Sequence, residues 1–252
     1  MSELSTIETV AEWVRAAQCV TVLTGAGIST DSGIPDYRGP NGVWMKNPKA
    51  ERLATYSDYV NDPEVRRESW ANRIEHPAWG AQPNAGHHAL VDLERAGRLR
   101  ALITQNVDGL HQRAGSDPGL VIEVHGTIHF AECVGCHDRT PMEQAMERVR
   151  AGDPDPACKE CGGIIKSATI SFGQPLVEDV IQAAAEAAAD CDLFLAIGSS
   201  LTVHPAAGLC EVAVRAGARL VIINAQPTPY DELASVVISE PIGDVLPRLV
   251  PS

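Results

Sequence analysis

Five short apolar runs constrain the fold of this chain more than any other feature: residues 19–24 (CVTVLT), 101–104 (ALIT), 120–124 (LVIEV), 193–197 (LFLAI) and 219–224 (RLVIIN). They are rich in Val, Ile and Leu, and three are nearly continuous rather than alternating, the pattern of strands buried on both faces. Helical patterns lie between or around them. Segment 6–17 places Ile7, Val10, Ala11 and Val14 on one face at three-to-four spacing, and segments 176–189 and 205–216 read similarly, the last with a proline in its first turn. Strand and helix in alternation predict an α/β fold: a parallel sheet covered on both sides. In such sheets ligands bind beyond the carboxyl ends of the strands.

Each run is followed by a polar cluster: Gly25-Ala26-Gly27-Ile28-Ser29, Gln105-Asn106-Val107-Asp108-Gly109, His125-Gly126, Gly198-Ser199-Ser200, and Asn224-Ala225-Gln226. Singly, each has a bland explanation, because Gly and Asn serve turns and Ser caps helices. Five together predict one cleft. The Gly25-Ala26-Gly27 turn follows a strand and precedes an expected helix start, a place where backbone N–H groups hold a pyrophosphate, with a plain tight turn as the alternative. It does not complete G-x-G-x-x-G, since position 30 is Thr, and no acidic residue ends a second strand about 20 residues on, so a hydride-transfer dehydrogenase is not expected. His125 shares the strand-end edge with Asn106 and Asp108, where a neutral imidazole can act as a general base near pH 7. The other seven histidines are read as structural, His129 and His137 as surface residues.

Two stretches interrupt the rhythm. Segment 33–83 lacks a strand, and segment 126–167 holds two cysteine pairs, Cys133/Cys136 and Cys158/Cys161, separated by residues 137–157. Each pair puts two thiolates on one tight turn, and four thiolates close the tetrahedron of a structural Zn²⁺. The expected organisation is a Rossmann-type sheet domain from residues 1–32, 84–125 and 168–252. A smaller inserted zinc-binding domain is expected from residues 33–83 and 126–167. Cys19, Cys191 and Cys210 lie in or beside apolar stretches and are expected as buried free thiols. With seven cysteines and no cationic leader before an apolar stretch, a disulfide framework is not expected and a cytoplasmic location is. The balance of 20 Lys+Arg against 33 Asp+Glu, a net charge of −13, argues against direct nucleic-acid binding, and no apolar run suits a membrane span.

At this point the residues resemble the sirtuins, NAD-dependent protein deacylases. The resemblance is carried by Gly25-Ala26-Gly27-Ile28-Ser29, Ser32-Gly33-Ile34-Pro35-Asp36-Tyr37-Arg38, Thr104-Gln105-Asn106-Val107-Asp108-Gly109-Leu110-His111 and His125-Gly126. The cysteine pairs, Phe172-Gly173, Gly198-Ser199-Ser200-Leu201 and Ile223-Asn224 follow in the family's order. The resemblance implies NAD and acyl-lysine proteins as co-reactants, with deacetylation as the first expected activity. It places Ala26, Ile34, Asn106 and Asp108 around nicotinamide and Asp36, Tyr37 and Arg38 on a cofactor-binding loop. Gln105 is placed on the nicotinamide ribose, Gly25, Gly27, Gly198, Ser199, Ser200 and Asn224 at phosphates and adenosine, and Asp244-Val245 over the adenine. It also implies His125 as the base toward a ribose hydroxyl, and a substrate strand between Ile170-Ser171-Phe172-Gly173 and Val203. The tail Pro227-Thr228 with Asp231-Glu232-Leu233 resembles most the mitochondrial-type and related bacterial branch.

The sequence departs from the family in places. Phe172-Gly173-Gln174 stands where Phe-Gly-Glu is frequent, which removes a carboxylate from the peptide groove. Where relatives that prefer acidic acyl groups carry Tyr-x-x-Arg, this chain has Trp70-Ala71-Asn72-Arg73. The implied reading is that Trp70 and Arg73 contact the acyl chain, Arg73 pairing with an acidic one and Trp70 suiting a neutral or longer one. Two other functions stay open at this level: protein mono-ADP-ribosylation on the same fold, and a non-catalytic zinc-ribbon interaction module.

Overall fold

The computed structural model describes residues 5–37, 39, 42–43 and 50–250. Its first helix, α1 (Thr6–Ala16), starts where the sequence signals it. Ser5 Oγ accepts the Glu8 N–H and the Glu8 carboxylate accepts the Ser5 N–H, a reciprocal cap, and Ile7, Val10, Ala11 and Val14 are buried. The strands are β1 (Val20–Thr24), β2 (Leu99–Thr104), β3 (Val121–Glu123), β4 (Gly126–Cys133), β5 (Arg139–Pro141), β6 (Ile165–Thr169), β7 (Leu193–Ile197), β8 (Arg219–Ile223) and β9 (Val236–Ile238). The further α-helices named among the described residues are α2 (Ala50–Leu53), α3 (Tyr56–Asn61), α4 (Pro63–Ile74), α5 (Ala85–Arg95), α6 (Leu110–Ala114), α7 (Met142–Arg150), α8 (Glu178–Ala189), α9 (Leu209–Arg215) and α10 (Ile242–Leu249).

Six strands form an all-parallel sheet in the order β3-β2-β1-β7-β8-β9. Every residue of β1 and β7 is buried, which is why their sequences do not alternate. The thread runs outward from β1 in one direction and from β7 in the other, so the order reverses between these two central strands. A crevice opens at their carboxyl ends by that topology alone. Two apolar layers clothe the sheet, one centred on Val10, Leu90 and Leu246, the other on Phe194, Ala187 and Cys210.

The α/β expectation and five strand positions hold to within two residues. The sixth strand, β9, is a three-residue edge element too short to carry a pattern of its own. Segment 205–216 splits into a 3₁₀ turn, Ala206–Gly208, followed by α9. Of the three scattered thiols only Cys210 is buried. Cys19 and Cys191 are half-buried, because their sulfurs reach the exposed C-terminal end of α8, where they donate to the Asp190 and Ala188 carbonyls.

A second, antiparallel sheet, β5-β4-β6, grows from the end of β3. Its core packs Trp70 and Ile165 against Met142, Met146, Cys133 and Cys158. The helices of segment 50–79 are tied to this part of the molecule by further contacts besides Trp70. Tyr59 Oη donates to the Ile165 carbonyl at 2.8 Å, the half-buried Arg66 guanidinium pairs with Asp155 at 2.8 Å, and Thr55 bridges Phe172 as a parallel strand pair. No helix among the described residues is long and apolar enough to cross a membrane.

Candidate active site

The crevice at the sheet's carboxyl edge is built backbone on backbone. The Gly25 N–H donates to the Ile197 carbonyl and the Gly27 N–H to the Gly198 carbonyl, at 2.9 and 2.8 Å. Gly198 adopts φ +63°, and a Cβ there would lie 2.5 Å from the Ile28 nitrogen, so no side chain fits between the two turns. Residues Ala26–Ser32 form a 3₁₀ segment rather than an α-helix start. Asn84, the N-cap of α5, explains part of this: its Nδ2 donates to the Ile28 carbonyl and to Ser32 Oγ, holding the segment from outside. The first turn of α10 closes the same flank, where a Cβ on Gly243 would meet the Asp31 carboxylate.

Gly198→Ala is expected to destabilise the fold by about 1–3 kcal/mol, because backbone cannot relax as a side chain does. It should also shrink the rise in melting temperature that added NAD gives. Thermal melts with and without NAD measure both; a variant melting like the parent would show that the turns separate freely.

Inside the crevice a buried polar set converges. Asn106 Nδ2 donates to the Gly25 carbonyl at 3.0 Å and to Ser29 Oγ at 3.1 Å, and Ser29 Oγ donates to Asp108 Oδ2 at 2.8 Å. Asp108 Oδ1 accepts the Leu110 N–H, and its carbonyl lies 3.0 Å from His129 Nε2. Asn106, Asp108 and Ser29 are all buried, so their side chains are fixed by these bonds and not by water. Ser29 belongs to the strand-end cluster expected here, whereas Asn84 and His129 were not expected. The capping pattern at Asn84 was the one signal in the sequence. His129 is half-buried, stacked edge-on against Trp79 with ring centroids 5.8 Å apart, and so is not the surface residue expected; His137 is exposed, beside Glu132.

Gln105 links the two halves of the site. Its Nε2 donates to Ser199 Oγ at 2.9 Å, and its carbonyl lies 3.1 Å from His125 Nδ1. A carbonyl only accepts, so His125 carries its proton on Nδ1 and presents Nε2 as a bare base. Burial pulls the imidazole pKa below its usual value, and the Gln105 carbonyl partly offsets that. His125 sits at the joint between the two sheets. Its carbonyl accepts the Ile170 N–H at 2.8 Å, and the next residue, Gly126, at φ +73°, abuts the Ala168 carbonyl so closely that a Cβ could not be placed.

Segment 170–173 is held at both ends, by His125 and by the Phe172 N–H to Ala54 carbonyl bond. Gln174 closes the turn, its Oε1 accepting the Ser171 N–H at 2.9 Å. Val203 is half-buried, and Asp36 accepts the Gly39 N–H. Ser200 bonds Thr202, and Asn224 Nδ2 donates to the Gln226 carbonyl. Ile34 is half-buried and Tyr37 is 45% exposed, whereas Arg38 lies outside the described residues. Asp244 is exposed in the first turn of α10, and the Val245 side chain is buried in the large-sheet core.

Trp70 is fully buried in the core of the small sheet, in one cluster with Met142, Met146 and Ile165. Arg73, one turn on, stacks over that ring at 5.6 Å and makes no ion pair among the described residues; burial holds its pKa below the ordinary guanidinium value.

The four cysteines Cys133, Cys136, Cys158 and Cys161 meet as the spacing predicts, with all sulfurs within 4.8 Å of one another. Two of the S···S distances are 3.5 and 3.6 Å, and Zn–S bonds of about 2.3 Å in a tetrahedron require about 3.8 Å. Cys133 is pushed down to about 6, chiefly by the Cys136 N–H against the effect of burial. The donor set fits a structural zinc ion with no open position.

The Sir2 family model matches residues 25–205. The chain is 54% identical over 231 residues to an NAD-dependent protein deacetylase 2 of Streptomyces coelicolor, covering 92% of this chain and 96% of the relative. It is 40% identical to an NAD-dependent protein deacylase 2 of Archaeoglobus fulgidus, covering 97% and 94%. Among solved structures, a Sir2 histidine-to-alanine variant with deacetylated peptide and 3′-O-acetyl ADP-ribose superposes with a TM-score of 0.88 at 34% identity, covering 96% of each chain. A Sir2 protein bound to a propionylated peptide superposes at 0.86 and 32% identity, covering 97% of each.

Proposed function

The chain belongs to the Sir2 family, and from that premise we propose how the residues described above divide the work of an NAD-dependent protein lysine deacylase. The enzyme removes acyl groups from lysine and yields nicotinamide and an O-acyl-ADP-ribose. Bound NAD supplies the ADP-ribose that accepts the acyl group, with nicotinamide as the leaving group. Asn106, Asp108, Ala26 and Ile34 hold the nicotinamide end, in a pocket where Ser29 keeps the amide and the carboxylate from turning away. Asp36, Tyr37 and Arg38 form the cofactor-binding loop. Gly25, Gly27, Gly198, Ser199, Ser200 and Asn224 hold phosphates and adenosine, with Asp244 and the backbone of Val245 at the adenine. Gln105 orients the nicotinamide ribose. His125 takes a hydroxyl proton at Nε2, the base that the substrate's acyl transfer needs.

The observation that carries this reading is the bond from His125 Nδ1–H to the Gln105 carbonyl. It fixes the tautomer of the base and places it beside the residue that reaches Ser199. Acyl-lysine protein substrates add as a strand between Ile170-Ser171-Phe172-Gly173 and Val203. The domain division at residues 1–32, 84–125 and 168–252 against 33–83 and 126–167 is part of the same proposal. The small domain is held together by zinc on the four cysteines.

Arg73 supports a finer reading of the acyl group. A half-buried guanidinium with no ion pair among the described residues favours an acyl chain that ends in a carboxylate. The test is mass spectrometry of the protein with NAD and peptides bearing acetyl, propionyl, butyryl, succinyl and long fatty acyl lysine. Nicotinamide and O-acyl-ADP-ribose are expected together, and Arg73→Met should slow the succinyl peptide by at least about tenfold more than the acetyl one. NAD consumption without loss of the acyl group would indicate ADP-ribosyl transfer instead, and equal slowing of both peptides would remove Arg73 from acyl selection.

A further inference from the structure

Two histidines that this chemistry does not use lie behind the Asn106–Asp108 loop. His87 on α5 is 0% exposed and His111 on α6 is 1% exposed, with ring centroids 4.9 Å apart and planes tilted by 53°. Their partners fix both tautomers. The Asn84 N–H donates to His87 Nδ1, so that nitrogen carries a lone pair and the neutral ring keeps its proton on Nε2. Thr24 Oγ1 donates its single proton to Thr104 Oγ1 at 2.8 Å, so at 3.0 Å from His111 Nε2 it must be the acceptor. His111 therefore carries its proton on Nε2 and leaves Nδ1 bare.

What remains is a matched pair. His87 Nε2–H is a donor and His111 Nδ1 an acceptor; both are buried, and neither has a hydrogen-bond partner in the structure. Buried donors and acceptors are rarely left unpaired in native proteins, and each ring is the other's neighbour across 4.9 Å between centroids, free to turn about a soft χ2. Burial keeps both rings neutral: His87 is pushed down to about 4, with Asp108 opposing and His88 adding slightly, and His111 is held well below its usual value.

From His111 the chain of contacts leads straight into the site. Thr24 ends β1 and Thr104 ends β2, and Thr104 Oγ1 accepts the backbone N–H of Asn106 at 3.1 Å. We propose that His87 and His111 are positioning residues. Asn84, His87, His111, Thr24 and Thr104 form one relay of fixed proton direction, which locks the backbone of Asn106 and with it the side chain that faces nicotinamide. The histidines touch neither NAD nor the acyl-lysine substrate. The inference rests on the reading of Asn106 as part of the nicotinamide pocket.

Long-range ¹H–¹⁵N spectra of the intact protein test the relay without any variant. Both rings should be neutral Nε2–H tautomers at pH 7, and His111 Nδ1 should show the shift of a nitrogen that accepts a hydrogen bond. An Nδ1–H tautomer at either ring overturns the proposal. The kinetic arm compares His87→Leu, which removes the donor, with His87→Gln, which keeps an amide N–H near the same place. His87→Leu should lower kcat/KM for NAD about tenfold, the net value of one hydrogen bond, with a much smaller change in KM for the acyl peptide. His87→Gln should recover most of that loss. Equal losses in both variants would mean the ring only fills space, and would overturn the positioning role. If Asn106→Ala itself left NAD turnover intact, the pocket reading would fail, while the spectra would still decide whether the relay exists.

Discussion

Replacing His125 with alanine lowers deacylation by about 10²–10⁴ while leaving the fold and NAD binding in place. The size follows from the role: a positioned base is lost, whereas the glycine turns and the Asn106–Ser29–Asp108 set that hold the cofactor remain. The fold survives because His125 is half-buried and its side chain makes one bond, to the Gln105 carbonyl; the backbone bond from its own carbonyl to Ile170 needs no imidazole. The pH dependence carries a sign. Burial lowers the pKa of His125, so the neutral, basic form persists to lower pH than in a free imidazole. The acid limb of kcat/KM should therefore lie below pH 6.5, and the variant should lack that limb in its residual activity. Single-turnover assays and a pH–rate profile check both parts. An acid limb above pH 7, or a His125→Ala protein that melts well below the parent, would remove the residue from the role of base.

Cys133→Ser is expected to abolish stoichiometric zinc, unfold the small sheet and remove activity. Structural zinc contributes on the order of 10–16 kcal/mol of apparent binding free energy in small thiolate sites, far more than a core this size supplies alone. Cys133 and Cys158 are also members of the apolar core under the metal, so a lost ion exposes Trp70, which is fully buried in the intact protein. Elemental analysis should find less than one zinc per chain, and tryptophan fluorescence should shift to the red. Activity is lost indirectly, because β4 and β6 flank His125 and hold segment 170–173 at the groove. A Cys133→Ser protein with full zinc content, or one lacking zinc yet fully active, would contradict this account.

The large sheet was legible because burial on both faces leaves an unmistakable mark: VTVLT and LFLAI have no polar side to hide. The cysteine cluster was legible because tetrahedral coordination demands two short turns of fixed spacing. His125, Asn106 and Asp108 were legible as strand-end residues, and their shared edge follows from a parallel sheet. Strand order was not, since nothing in the runs says that β1 lies between β2 and β7. The small antiparallel sheet escaped because β5 is three residues long and β6, IKSAT, is too polar to read as an apolar run. The burial of Trp70 was not legible for a related reason: a motif gives the position of a side chain along a helix, but the core that encloses its ring comes from Met142, Met146 and Ile165, far away in sequence. The relay through His87 and His111 is invisible in any pattern, because proton direction depends on partners that only tertiary structure supplies.

The reversal of strand order between β1 and β7 also dictates a timetable. β1 begins at Val20, and its neighbour β7 at Leu193. At synthesis rates of about 5–20 residues per second, roughly 10–35 s separate their emergence from the ribosome. During that interval β1 can pair with β2, and β2 with β3, but the other edge of β1 stays open, a template for misplaced strands. The whole metal-binding segment, Cys133 to Cys161, is made inside the same window. The nascent chain thus holds an unfinished sheet on one side and four free thiols on the other. Metal supply and chaperone cover during those seconds then bear on the yield of folded enzyme as directly as the stability of the finished molecule does.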